Sequence, residues 1–425
     1  TEHKLAYVKV DGKATDSSSY TYNDYGNVTK YIDSDSGVTY TYSYDSKQNL
    51  TGITGDNGFS MTSSTTDSSN STTGETSYVT DTTWKLGEEE RTVHYSYQSS
   101  ESDNTETAVT ELLTGKTFTK QSNLETGNSS VSIGDVVSWS TTENEEQGVI
   151  QYKNGSQLIY TYDANGNITQ ISEKASSDST ENVLVSYVYD GMSQLIRENN
   201  RETDTTTLYT YDTNGNLTGS RIYAYTTGEV SGNASKTHSW SYGDSSWRDL
   251  LTSYDDTAIT YDASGNPLTY RNGSTLTWQG GRQLKQYEDS NQTISYTYND
   301  SGIRTTKTIT DKTSGNVVTK NYYLDDTNVL AEQVSGSGDN AYTIWYAYGG
   351  DGTLTGFTYD GADYYYQKNL RGDIIGIYNA SGEVIVTYSY DAWGKLLNII
   401  GEIEIGVTYV GTTLKFTVTV LPESA

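Results

Sequence analysis

The run Tyr160-Thr-Tyr-Asp163 is followed by Asn165, Gly166 and Asn167, and 49 residues later it returns as Tyr209-Thr-Tyr-Asp212 with Asn214, Gly215 and Asn216. The last Tyr of this motif falls at 22, 44, 162, 189, 211, 261, 298, 348 and 390, so a gap of 22 residues occurs twice and one of 27 once, while the gaps of 50 and 42 read as two units each. Trp278 takes the same place in the stretch Leu276 to Leu284, 20 residues before Tyr298. A unit of about 21 residues repeated on the order of 20 times builds an array, not one thick core.

Each unit reads as a β-hairpin. Tyr160 and Tyr162 lie on one face of a strand and Thr161 on the other, the period of two that marks a half-buried strand. Asp163 to Gly166 then fits a type I turn with Asp first and Gly fourth. The Asp carboxylate accepts the main-chain N–H two residues on and pre-forms the corner. Asp212 with Gly215, Asp262 with Gly265, and Asn299 with Gly302 fit the same reading. A catalytic acid occupies one special site, so an Asp recurring at every corner is read as a turn former. Stacked hairpins set Tyr above Tyr, each cross-strand pair contributing ~0.2–1 kcal/mol. The hydroxyl is expected to stay in water.

Composition agrees. Leu, Ile, Val and Phe make up about 18% of the chain, in the range that warns of disorder. Yet 40 Tyr and 7 Trp are present, with 40 Gly and only two Pro, the mixture of many strands joined by glycine turns. The formal net charge is −28, which repels polyanions, so neither nucleic acid nor an anionic membrane surface is expected as a partner. There is no Cys, which excludes disulfides and thiolate metal sites. No apolar run approaches the ~18 residues of a membrane span.

The chain divides into residues 1–148, degenerate repeat strands with a Ser/Thr-rich acidic insert; 149–320, regular repeats; 321–397, where aromatics crowd; and 398–425, a divergent hairpin in which Leu414, Phe416, Val418 and Val420 alternate. From Met61 to about Thr107 the motif fades, and degenerate strands with a long loop are expected. In the third segment stand Tyr364 to Tyr366, Leu370 with Gly372, Asp373 and Ile374, and Tyr388, Tyr390, Asp391, Trp393 and Gly394. This series closely resembles the core segment of the Rhs/YD-repeat family, which includes bacterial polymorphic toxins, shell components of insecticidal Tc toxins and the YD region of teneurins. Residues Ser241 to Leu284 are similar to the stretch that precedes that core in Gram-positive members. The resemblance implies an all-β fold, a YD-repeat array of hairpins forming a spiralled, curved sheet that makes a partial or complete hollow shell. In bacterial members it also implies self-cleavage and a C-terminal toxin, which are not recognised after Leu397.

A search for chemistry yields little. Of three His, His94 and His238 sit in alternating strands and His3 lies near the terminus. No metalloprotease, nucleophile-elbow, phosphate-loop or dinucleotide motif occurs. Asp33 to Gly37 faintly resembles a calcium loop but lacks its spacing and terminal Glu. The sequons at Asn27, Asn167 and Asn216 follow from turn Asn preceding a strand Thr. Trp345, Tyr346 and Tyr348 are the residues suited to stack on sugar rings. The sequence thus reads as a non-enzymatic containment shell of a secreted or surface-bound bacterial protein, with no catalytic, cofactor or metal residues. Its partners would be an enclosed polypeptide cargo or adjoining segments of a larger shell. The alternative is a surface adhesin or carbohydrate-binding repeat protein that meets a glycan or receptor.

Overall fold

The computed structural model describes residues 4–9, 17–34, 36–69, 76–99, 105–112, 116–123, 129–133, 136–141, 147–152, 155–176, 178–325, 327–336, 341–348, 354–369 and 371–401. Among them the fold is all-β: 34 strands and no helix. Strands from Tyr7–Val8 to Thr257–Ala258 form one sheet of 22, and those from Thr275–Gln279 to Leu396–Gly401 form a second of 12. Pairings between strands are antiparallel and join sequence neighbours, so each sheet is a continuous meander. Two isolated bridges, Tyr261 with Pro267 and Thr269 with Thr275, span the break between them. The Ser/Thr-rich stretch, expected to be degenerate strands with a long loop, supplies the longest strands among the described residues, Phe59–Ser69, Thr76–Leu86 and Glu89–Ser99, while residues 70–75 and 100–104 lie outside them.

The corners form as the turn chemistry dictates. Asp163 Oδ1 accepts the N–H groups of Asn165 and Asn167, each at 2.9 Å, and Oδ2 accepts the Asn167 amide at 2.9 Å. Gly166 carries φ of +82°, a conformation that disfavours side chains, and its N–H closes the turn onto Asp163 O at 3.0 Å. Asp212 and Asp262 repeat this set of bonds. Both carboxylate oxygens are therefore occupied in building the corner.

One residue before each corner the register slips, as between Thr161 and Tyr162, Thr210 and Tyr211, and Ser389 and Tyr390. Such a bulge bends the strand and leaves a carbonyl across from it without its ladder partner. The repeat Tyr of the next hairpin supplies the missing donor. Tyr189 donates to Ile168 O (3.0 Å), Tyr211 to Leu195 O (2.8 Å), Tyr298 to Leu284 O (2.9 Å) and Tyr390 to Ile374 O (2.7 Å). Each acceptor sits opposite a bulge. The hydroxyl expected to remain in water thus clamps one hairpin to the next. Trp278 makes the equivalent bond through its indole N–H, to Pro267 O at 2.7 Å. Replacing Trp278 by Phe is expected to lower stability by about 1 kcal/mol, whereas Tyr at this position restores most of it. Urea midpoints of the two variants check this; equal midpoints would show that ring packing alone matters.

The second sheet lies along the first in the same sense. Asp300 accepts the hydroxyls of Tyr20 and Tyr31, Tyr323 stacks on Phe59 at 5.4 Å, and Trp345 Nε1 donates to Glu89 at 2.8 Å. Further on, Ile375 packs against the cluster of Ile150, Tyr152, Leu158 and Tyr160, and Trp393 meets Tyr209 at 5.8 Å. Positions rise together in both sheets, and a shorter run of chain lines a longer one. The meander is therefore coiled as a spiral, an inner winding inside an outer one, and is not closed into a barrel. The inner winding buries both faces: Trp345 and Tyr323 face the outer winding, while Ile344, Tyr346, Phe357, Tyr366 and Ile377 form a second core.

Candidate functional site at the contact between the windings

The core segment singled out in the sequence has two jobs. Asn369 and Asp373 exchange the usual roles of the corner: Asn369 Oδ1 accepts the N–H groups of Arg371 and Asp373, each at 2.9 Å, and its amide donates to the Asp373 carboxylate at 2.7 Å. Gly372 supplies the positive φ of that turn. Ile374 offers the carbonyl that Tyr390 clamps, and Asp391 folds the next corner by accepting the N–H groups of Trp393 and Lys395. Leu370 lies outside the described residues. These residues make hairpins, and the corner at Asp391 then seats on the outer winding.

At that seat lies Glu198, 3% exposed, on the strand Leu195–Asn200. Its carboxylate accepts the Tyr209 hydroxyl at 2.9 Å and the Asn200 amide at 3.2 Å. The outer-winding cluster of Val185, Tyr187, Leu195 and Tyr209 packs against Ala392 of the inner corner. Burial pushes the Glu198 carboxyl above its ordinary range and the charge of Asp391 adds to this, against hydrogen bonds from Asn200, Tyr209 and the main chain at Ala392. Burial likewise raises the Tyr187 and Tyr209 hydroxyls, with the Glu198 charge reinforcing both. A carboxyl so enclosed takes up a proton more readily than one in water. Motif reading does not find Glu198, because it sits in an unremarkable Arg-Glu-Asn-Asn run. Its signal is a charged residue in the inward register of a strand where the neighbouring repeats carry apolar or aromatic side chains.

The other sequence candidates separate. Trp345 and Tyr346 are buried at 5% and 3% exposure, and the Tyr348 hydroxyl is bound to Val329 O, so they do not form the outward sugar-stacking surface considered above. Asp33 uses its carboxylate on the N–H and hydroxyl of Ser36. Among the described residues no group of three or more His, Cys, Asp or Glu could hold a metal ion. His238 is more elaborate than a plain strand histidine, since its Nδ1 lies 2.6 Å from Asp255 and 2.8 Å from the Tyr254 hydroxyl. The amides of Asn167 and Asn216 are held by the corner carboxylates of Asp163 and Asp212. His3, the His94 side chain and the alternating Leu414 to Val420 lie outside the described residues. No helix among the described residues is long and apolar enough to cross a membrane.

Residues 22–60, which contain the hairpin corners after Tyr22 and Tyr44, match the family described as RHS Repeat. The resemblance to RHS (YD) repeats is thus shown for this stretch. It is 32% identical over 234 residues to the tRNA3(Ser)-specific nuclease WapA of Bacillus spizizenii, a match that covers 54% of this chain and 8% of that protein. It is 31% identical over 234 residues to the tRNA nuclease WapA of Bacillus subtilis strain 168, again 54% of this chain and 8% of the relative. With the tRNA(Glu)-specific nuclease WapA of Bacillus subtilis subsp. natto it shares 34% identity over 149 residues, 34% of this chain and 6% of the relative. The chain therefore spans less than a tenth of these relatives. They overturn two expectations: a non-catalytic containment shell, with an adhesin or glycan binder as its alternative, and a protein that is no enzyme. The relatives are nucleases. Composition and motif search pointed away from an enzyme because they weigh the repeats alone, and similar sequence occurs in proteins named as nucleases.

Proposed function

We propose that this chain is part of the repeat region of a secreted, tRNA-directed nuclease of the bacterial polymorphic-toxin type. The observation that carries the reading is the 32% identity over 234 residues with a tRNA-specific nuclease, a length that takes in many successive repeats rather than one motif. The corner and clamp chemistry supports it, because hydrogen bonds that run from hairpin to hairpin make a coherent array of any length. In this reading the adjoining partners of the sheet are further segments of one polypeptide. The substrate is tRNA, which the acidic repeat surface repels, so tRNA is engaged by a locally basic surface of that polypeptide. The test is to purify the protein from the cells that make it, and from their medium, and incubate it with total bacterial tRNA. Loss of one or a few tRNA species is the expected result. A tRNA pool left intact by protein that is folded and abundant would overturn the reading.

A further inference from the structure

We propose that Glu198 is a proton-operated latch that fastens the inner winding, at the Asp391 corner, to the outer winding. The geometry is that of a closed seat. Glu198 and Asn200 point inward from one strand, Tyr209 donates to the carboxylate from the next, and Trp393 lays its ring against Tyr209 from the inner winding. Ala392 fills the cluster beside it. The titratable and charged groups facing the carboxylate are Tyr187 and Tyr189 on one neighbouring strand, Tyr209 on the other, and Asp391 from the inner corner, with Arg371 acting on the two first-named tyrosines. When the winding is docked, a charged Glu198 is deprived of water and faces Asp391; when it is released, Glu198 is hydrated.

The direction follows from linkage. Docking raises the carboxyl above its ordinary value, so between that value and the raised one the docked state holds a proton that the released state has shed. Docking is therefore strongest below the ordinary carboxylate value and weakens as pH rises through the raised one. Acid closes the latch and alkali loosens it. This inference stands independently of the tRNA-nuclease reading.

Hydrogen exchange of the intact chain, corrected for the intrinsic pH dependence of amide exchange, tests it at residues 391–401. Protection there is expected to be ~10-fold greater at about pH 5 than at about pH 8, a factor equal to ~1.4 kcal/mol of docking free energy. The strand Val28–Asp33 serves as the control for a general effect of net charge. Glu198→Gln is expected to hold the same segment protected at both pH values. Asp391→Asn, which removes the opposing charge and retains the corner hydrogen bonds, is expected to shrink the difference. Unchanged protection in the wild type, or the same pH dependence in Glu198→Gln, would overturn the latch. Should Glu198→Gln fail to fold, equal protection of residues 391–401 at the two pH values in the wild type still overturns it.

Discussion

Raising the pH from about 9 to about 12 unfolds this protein in one transition in which strand signal and tyrosinate absorbance change together. Tyrosine hydroxyls ordinarily ionise near 10.0, but burial pushes those of Tyr152, Tyr211, Tyr388 and Tyr390 up to about 12, with Asp190 adding at Tyr211 and Asp373 at Tyr390. Between the two values the unfolded chain has released protons that the folded chain keeps, so the contribution is whole below pH 10 and is lost as pH rises towards 12. For Tyr152 and Tyr388, 7% and 5% exposed, two pH units correspond to ~2–3 kcal/mol each. Net stabilities are only ~5–15 kcal/mol, so a few such ionisations exceed what the fold can bear. Two further effects act in the same direction. A tyrosinate cannot donate, so ionised Tyr211 and Tyr390 release Leu195 O and Ile374 O. Each ionisation also adds negative charge to a chain already at −28. If tyrosinate absorbance instead rises broadly around pH 10 while the strands persist, the clamps are solvent-facing and the account of the repeat is wrong.

The hairpins were readable because their causes are local. Asp163, Gly166 and the alternation through Tyr160 and Tyr162 act within a few residues, and each acts as its chemistry requires. The clamp was nearly readable. Trp278 replacing Tyr pointed to a shared donor, since a ring alone would admit Phe, and the chain has only four Phe. What hid it was the bulge, which creates the orphan carbonyl and is not visible in a strand pattern. The nesting of the windings was out of reach by local reasoning. Nothing near Asp300 tells of Tyr20 and Tyr31, and nothing near Glu89 tells of Trp345, because these pairs are made by curvature accumulated over many strands. Family resemblance supplied the spiral where periodicity could not. The same separation explains Glu198: its environment is set by the corner at Asp391, almost two hundred residues away.

The greatest loss from a single side chain is expected at Arg91, which fastens the windings near the middle of the inner one. Arg91 leaves the strand Glu89–Ser99 and crosses into the inner winding, where its guanidinium donates to Trp345 O at 3.1 Å and Thr358 Oγ1 at 3.0 Å. Thr358 passes its own proton to Asp363 Oδ1 at 2.7 Å, so cation, hydroxyl and carboxylate form one chain of bonds. Arg91 and Asp363 are each 7% exposed. Burial draws the Arg91 value down to about 10, and the charges of Asp363 and Tyr365 counter it. Replacing Arg91 by Met fills much the same volume but leaves Asp363 as a buried charge without its cation, and Trp345 O without its donor. Removing one partner of a buried pair costs about 3–5 kcal/mol, most of it the penalty of the charge left behind. The double replacement Arg91→Met with Asp363→Asn is therefore expected to recover more than half of that loss. Arg91→Lys recovers less, since its ammonium is more strongly hydrated than a guanidinium and costs more to bury. Urea midpoints of the four proteins decide the matter. If Arg91→Met is as stable as the wild type, the windings are held by apolar contact alone. If the double replacement is no better than the single one, the loss comes from the Trp345 carbonyl and not from Asp363. With the pair as described, the windings stay in register because a buried charge has only one place to go.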